Sequence, residues 1–387
     1  MARETAAAAP RYAFATSEDA ASVTAIDLAT RQAVATLPAG PVAHALTLTQ
    51  DGGRLYVVNR RGGSLTVIDP RALAVLDTIA LPADPMAAAV SPDGRWLAVL
   101  GRARLVAWLF DAASGALRHE VPLSAAPIPP EAPPGPRSTH PVWAPDSKSF
   151  YAEDNPHASL VRVDAARGAV AATIPLPSLA HMAYVDAAGA RVYALCVGGT
   201  PAEEEAGEAA PPSVAIVDAA ADRLLADVPI PLAEGESGEL HHATFDASGR
   251  YLFVANLGQG RPRGGWSVHV LDTTTHRLVA RLEADAGAGH PVLSPDGRRL
   301  FVVNHSAPRL SVFDAERLEP LGAVELPGAR GMGHGCFFTA DGATFWAVSN
   351  TAGAAYAVDA ARLAVVAQVP TGPNCQDIAH HWRDAYA

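Results

Sequence analysis

The sequence predicts an all-β fold built from eight repeats of a four-stranded sheet. The first observation behind this is a short apolar segment that ends in Asp and recurs at spacings of 42 to 54 residues along the 387-residue chain. A period of about 42 residues is typical of one four-stranded blade of a β-propeller. We therefore expect an eight-bladed β-propeller. The eight segments end at Asp27, Asp69, Asp111, Asp164, Asp218, Asp272, Asp314 and Asp359.

The second observation is a tight turn, usually containing glycine, that comes before an alternating apolar strand. Asp51-Gly52 precedes the run 54–59, and Ser248-Gly249 precedes the run 250–256. A dipeptide ending in Gly between two such runs is a strong hairpin signal. Each blade then consists of strand A before the turn, B after it, C ending in Asp, and D leading onward. The turn recurs at Asp93-Gly94, Asp296-Gly297 and Asp341-Gly342, and in weaker form at Asp146-Ser147 and Ala188-Gly189.

The two ends of the chain are expected to complete one blade together. The first blade has a B strand at residues 12–16 but no A strand before it, and the tail at residues 375–382 has no B strand after it. If the tail supplies the missing A strand, the ring closes without an open sheet edge. A seven-bladed ring is the alternative if one weak repeat is an insertion. Residues 1–387 would form a single domain, with a flexible N-terminus over residues 1–10.

Charge and composition exclude several classes of function. The formal net charge is −11, from 29 Lys and Arg against 40 Asp and Glu. Without a basic cluster we expect neither a nucleic-acid nor a membrane partner. No run reaches the roughly 18 apolar residues of a membrane span, and the first ten residues lack a signal-peptide core. The expectation is a cytoplasmic protein, or a periplasmic one if a leader was removed, that acts on a small molecule; a protein partner is the further option.

Histidines mark the start of most A strands. In a propeller, strand A is innermost, so residues at its start gather around the central channel. Imidazole nitrogens without thiolate suit copper, zinc or iron, and we take copper first. The alternative is that each histidine bridges neighbouring blades by hydrogen bonds, for structural reasons alone. The candidate metal ligands are His44, His140, His181, His241, His242, His290 and His334, with Met86 in the remaining complete repeat.

A second group of polar residues is expected near the same channel mouth. Loops between strands B and C open on that face, and acidic or basic residues there would orient the metal ligands or bind an anionic substrate. A solvated surface role is the alternative for each of them. The candidates in those loops are Arg60, Arg61, His157 and His305, and those in or beside A strands are Glu239, Asp377 and His380.

Three resemblances extend this interpretation. The segments 56–59, 253–256 and 301–304, with Ser-Pro-Asp-Gly at 91–94 and 294–297, resemble YVTN-type propeller repeats. The eight-blade count is similar to the haem-binding propeller of cytochrome-type nitrite reductase, which implies a haem-contacting role for His44. Gly238-Glu-Leu-His-His242 resembles the His-His segment of nitrous-oxide reductase, which implies that His241 and His242 bind copper.

The leading hypothesis is a metal-dependent oxidoreductase, with copper at a multi-histidine site in the channel mouth. The sequence assigns no catalytic residue. One alternative is a non-catalytic propeller that binds haem or a protein partner. A third option is a lactonase-like hydrolase with a single metal ion, although such sites tend to be richer in carboxylates.

Overall fold

A computed structural model of the protein describes residues 11–129, 140–199, 210–258 and 264–380. The predicted flexible N-terminus, residues 1–10, lies outside these ranges. The described residues form eight four-stranded antiparallel sheets. The all-β, eight-bladed prediction is therefore confirmed, and the seven-bladed alternative is wrong.

The strands follow the predicted order within each blade. The A strands are β4 (Ala43–Leu48), β8 (Pro85–Val90), β12 (Val142–Trp143), β16 (Ala180–Val185), β20 (Leu240–Phe245), β24 (Ala288–Leu293), β28 (Cys336–Phe338) and β32 (Cys375–Ala379). The B strands are β1 (Tyr12–Ser17), β5 (Leu55–Asn59), β9 (Trp96–Gly101), β13 (Ser149–Asp154), β17 (Arg191–Cys196), β21 (Tyr251–Asn256), β25 (Arg299–Asn304) and β29 (Thr344–Ser349).

The two outer strands of each blade complete the set. The C strands are β2 (Ser22–Asp27), β6 (Ser64–Asp69), β10 (Val106–Asp111), β14 (Ser159–Asp164), β18 (Ser213–Asp218), β22 (Ser267–Asp272), β26 (Arg309–Asp314) and β30 (Ala354–Asp359). The D strands are β3 (Gln32–Pro38), β7 (Ala74–Ala80), β11 (Leu117–Pro122), β15 (Ala169–Pro175), β19 (Arg223–Pro229), β23 (Arg277–Glu283), β27 (Glu319–Glu325) and β31 (Ala364–Pro370). A 3-10 turn, Asn155–His157, follows β13.

The tail closes the ring as predicted. Strand β32 pairs antiparallel with β1, with Phe14 opposite Ala379 and Ser17 opposite Cys375. The N-terminal blade therefore has the strand order β3-β2-β1-β32. Because neither β1 nor β32 is left as an unpaired edge, the first and last blades are held together by main-chain hydrogen bonds.

Each C strand ends at its recurring Asp, whose carboxylate organises the turn that follows. Asp27 Oδ1 accepts hydrogen bonds from the backbone N–H groups of Ala29 and Thr30. The hydrogen bond from Thr30, followed by that from Arg11, holds the pKa of Asp27 below its usual range. Short polar side chains of this kind stabilise tight turns, which explains why Asp recurs once in every repeat.

The core consists of apolar layers between neighbouring blades. Among the described residues there are eight buried clusters, and each joins two adjacent blades. One of them packs Phe301 of one blade against Phe345 and Tyr356 of the next. The D strands alternate exposed and partly buried residues, as in β15. The A strands are mostly buried around the axis, as in β8. In the part of the chain that the structure describes, no helix has the length and apolar character needed to cross a membrane.

Candidate metal centre

The predicted histidines meet at one mouth of the channel. His44 and His181 are the second residues of β4 and β16, His241 and His242 the second and third of β20, and His290 the third of β24. His140 and His334 each stand two residues before an A strand, β12 and β28. Because every A strand enters the channel from the same face, repeat-equivalent positions become spatial neighbours.

These imidazoles contact one another. The closest pair of ring centroids is His242 and His290 at 3.8 Å, stacked, followed by His181 and His241 at 4.2 Å. His44 reaches the group through His334, at 5.7 Å between centroids. His140 reaches it through His242, at 5.9 Å. We call His44, His140, His181, His241, His242, His290, His305 and His334 the histidine cluster.

His305 lies in a different place from the one that the sequence predicts. The sequence favours an outer, orienting role, but the ring centroid of His305 is 4.9 Å from that of His334 and 5.1 Å from that of His290. The reason is Gly289, on strand β24. A side chain on Gly289 would overlap the His305 ring, because a Cβ there would collide with both Cδ2 and Nε2. The absence of that side chain lets a B–C loop residue enter the cluster.

Two overlapping groups of histidines bring their ring nitrogens close enough together to be candidate metal ligands. In each group, one nitrogen per residue lies within 4.8 Å of the others. The first group is His241, His290, His305 and His334; the second is His181, His241 and His242. Among the described residues, both groups contain only histidine. An all-imidazole donor set suits copper, zinc, iron or nickel better than magnesium or calcium, which prefer oxygen ligands.

Burial keeps the cluster uncharged at neutral pH. It lowers the pKa of His241, His242, His290 and His334 well below the usual value, and neighbouring histidines add to this effect. Burial also lowers the pKa of His181 and of His305 to about 4. Neutral imidazole is the form that binds metals, so the protein holds these side chains ready for coordination.

Two cluster residues bury a ring nitrogen that has no hydrogen-bond partner within the described ranges of the chain. The atoms are Nδ1 of His241 and Nε2 of His305. A buried polar atom left unsatisfied costs about 1–3 kcal/mol. Both residues belong to the four-histidine group, and a bound metal ion would satisfy nitrogens of that group. The residues present therefore fit a transition-metal centre.

Glu18 is a site residue that sequence reasoning missed. Its Oε1 lies 2.6 Å from Nδ1 of His44, and its Oε2 accepts a hydrogen bond from Asn374. A carboxylate that accepts a hydrogen bond from Nδ1 keeps the proton on that nitrogen, so Nε2 is left to bind a metal ion. This is the usual arrangement for a metal-binding histidine. Glu18 directly follows strand β1, just as Arg60 follows β5 and His305 follows β25. Aligning the repeats at that position would have revealed it.

Arg60, one of the predicted site residues, lies beside the same histidine. Its Nη2 contacts Sδ of Met86 at 2.8 Å and its Nη1 is 3.3 Å from Nδ1 of His44. Arg60 therefore lies against Met86 on strand β8, the A strand that has Met where most other A strands have His. Arg61, the next residue in the turn, is exposed.

The remaining predicted residues serve different local purposes. Glu239 Oε1 lies 3.9 Å from Nδ1 of His181, and burial raises the pKa of Glu239 to about 7. Asp377 accepts hydrogen bonds from the backbone N–H groups of Leu46 and Ile378, which joins the tail to strand β4. The ring of His380 stacks on Phe337 at 4.0 Å between centroids. Glu239 thus adjoins the histidine cluster, whereas these contacts of Asp377 and His380 hold the tail against its neighbours.

His157 fastens the loop after β11 to strand β13. Its Nδ1 is 2.7 Å from Asp154 Oδ1, and its Nε2 is 3.1 Å from the carbonyl oxygen of Pro127. Both neighbours are acceptors, so only the protonated ring, which carries two N–H donors, makes both hydrogen bonds. The hydrogen bond to Asp154 is the main cause that raises the pKa of His157.

This arrangement predicts that the loop loosens as pH rises. A pKa raised in the folded state means that the stabilisation is complete below the unfolded value of about 6.5 and is lost as pH rises through the folded value. We expect amide exchange of Ser124, Ala125, Ala126 and Ile128, corrected for intrinsic rates, to accelerate as pH rises above that unfolded value. His157→Gln should remove that pH dependence. Unchanged protection over this range in the wild-type protein would contradict the assignment.

Comparisons with known proteins place the fold but not the chemistry. No family model matches the chain, and no curated protein does. The structure of dihydro-haem d1 dehydrogenase NirN in complex with DHE aligns with a TM-score of 0.78 at 17% identity, covering 100% of this chain and 78% of that one. Hydrazine synthase of Kuenenia stuttgartiensis aligns with a TM-score of 0.62 at 17% identity, covering 82% of this chain and 95% of that one.

These likenesses show the propeller fold alone, because both identities are low. They are consistent with the resemblance to the propeller of cytochrome-type nitrite reductase at the level of fold. The resemblances to YVTN-type repeats and to nitrous-oxide reductase stay predictions.

Proposed function

We propose that the protein is a metal-dependent oxidoreductase whose centre, with copper first among the candidates, is held by the histidine cluster. The observation that carries this proposal is the meeting of eight imidazoles at one channel mouth, where His241 and His305 bury ring nitrogens that a metal ion would satisfy. His241, His290, His305 and His334 would hold one ion. His181 and His242 lie beside them and would hold a second. Bound copper would supply a one-electron redox couple for a small-molecule substrate.

The chain's own residues prepare the site for that chemistry. The carboxylate of Glu18 contacts Nδ1 of His44, which leaves Nε2 of His44 to bind a metal ion. Gly289 has no side chain, and this leaves space for the His305 ring. Burial of the cluster excludes bulk water, which keeps the imidazoles unprotonated and available as ligands. Arg60 places a positive charge beside His44, where it would attract an anionic substrate.

The activity can be tested with a simple donor and acceptor. Protein reconstituted anaerobically with Cu(I), and freed of excess metal, should be oxidised by dioxygen and reduced again by ascorbate over repeated cycles. Zinc-loaded protein is the control, because zinc has no accessible redox change. If copper remains bound but never changes oxidation state, the oxidoreductase proposal is wrong while the metal site stands.

Haem binding is the second candidate, and the likeness to NirN, a protein solved in complex with DHE, favours it. The rings of His242 and His290, stacked at 3.8 Å between centroids, leave no room for a macrocycle between them, and His44 is the residue that would hold a haem. Added haem would then give a Soret band that His44→Ala removes. The lactonase-like option has less support, because both candidate ligand groups lack carboxylates.

A further inference from the structure

Tyr184 is a buried tyrosine that contacts the histidine cluster and that sequence reasoning did not select. It lies three residues after His181 on strand β16 and packs in the apolar layer between this blade and the next. Its hydroxyl oxygen is 2.9 Å from Nδ1 of His242 and 3.4 Å from Sδ of Met182. A phenol has an ordinary pKa of about 10 and carries its proton at neutral pH, so it can both donate and accept.

The positions of these three atoms restrict how His242 can bind a metal. Because Tyr184 occupies the Nδ1 side, Nε2 is the nitrogen that can coordinate. A neutral imidazole that coordinates through Nε2 must carry its proton on Nδ1. That N–H then needs an acceptor, which the phenol oxygen provides. The phenol's own O–H needs an acceptor as well, and Sδ of Met182 lies within reach.

We propose that Tyr184 is a positioning residue, which accepts the Nδ1 proton of His242 in a hydrogen bond, donates its own to Met182, and so holds His242 ready to bind metal through Nε2. This inference rests on the metal centre proposed above. The role matches that of Glu18 at His44, with a neutral phenol in place of a carboxylate. Two histidines from different blades are thus each fixed through Nδ1.

Metal affinity of a matched pair of variants tests the proposal. Tyr184→Phe removes the hydroxyl but keeps the ring, and it should weaken copper binding by about 10- to 100-fold, as losses of groups that orient metal ligands do. Tyr193→Phe is the control. Tyr193 is also buried in the same blade, and its ring packs on Phe245 at 5.4 Å between centroids. A purely structural effect would lower the melting temperature of both variants and leave both affinities unchanged.

Nitrogen NMR of zinc-loaded wild-type protein labelled with 15N-histidine provides a readout that does not depend on folding of the variant. The proposal predicts that His242 carries its proton on Nδ1 and binds zinc through Nε2. The opposite assignment, or a Tyr184→Phe affinity within about twofold of wild type, would overturn the role of Tyr184 alone, since the expected loss is tenfold or more. Wild-type protein that takes up no metal at all would instead refute the proposed centre, and this inference with it.

Discussion

His241→Ala should lose more than half of the copper that the wild-type protein binds. His241 is the residue shared by both candidate ligand groups, so its removal takes a ligand from whichever group His241 serves. Three protein ligands with an open position can still hold a metal ion, but an ion that loses a histidine ligand binds more weakly and should be lost more readily when excess metal is removed. Elemental analysis after reconstitution and removal of excess metal measures the effect directly.

A matched histidine outside the cluster controls for damage to the fold. His269 is also buried, on strand β22, where its Nε2 hydrogen bonds to the hydroxyl of Ser267. His269→Ala should bind as much copper as the wild type, even if its melting temperature falls. Equal copper content in the His241 and His269 variants would mean that the metal binds elsewhere.

Gly289→Ala should expel His305 from the cluster without removing any ligand atom from the chain. The added methyl group would overlap the His305 ring and lie 3.4 Å from Nδ1 of His241. Because the four-histidine group contains both residues, we expect copper binding to weaken at least about tenfold, as when ligand orientation is lost in other sites. Overpacking of this kind also costs about 1–3 kcal/mol of folding free energy.

Gly264→Ala is the control for this substitution. A Cβ at Gly264 would have nothing within 4 Å among the described residues, so the same chemical change there should affect neither stability nor copper binding. A Gly289→Ala protein with wild-type affinity would show that His305 does not contribute to the centre, and that its place beside His290 is incidental.

The repeats explain why so much of the fold could be predicted. Blades of about 42 residues place equivalent positions at equivalent points around one axis, so a histidine at the start of strand A in one repeat implies a channel-mouth position in the others. The closing strand followed from the same count, since a blade with no strand A of its own needed one from the tail. His44, His181, His241 and His290 were located in this way.

What could not be predicted depends on contacts between blades. Arg60 and Arg61 are adjacent in one turn, yet Arg60 faces the cluster and Arg61 is exposed, because the side-chain direction depends on the turn conformation. The position of His305 follows from the missing side chain of Gly289 in a neighbouring strand. Tyr184 meets His242 only because two A strands from adjacent blades pack side by side. The spacing of residues within a repeat does not predict side-chain directions or contacts between neighbouring blades.

The most direct measurement is X-ray absorption at the copper edge, combined with anomalous diffraction, on the copper-loaded wild-type protein. Our interpretation predicts density within the histidine cluster and a first coordination sphere made of imidazole nitrogen, with His241, His290, His305 and His334 around one ion. Copper bound by the sulfur of Met86 or Cys336, or found away from the channel mouth, would contradict it. So would a cluster that stays empty after reconstitution.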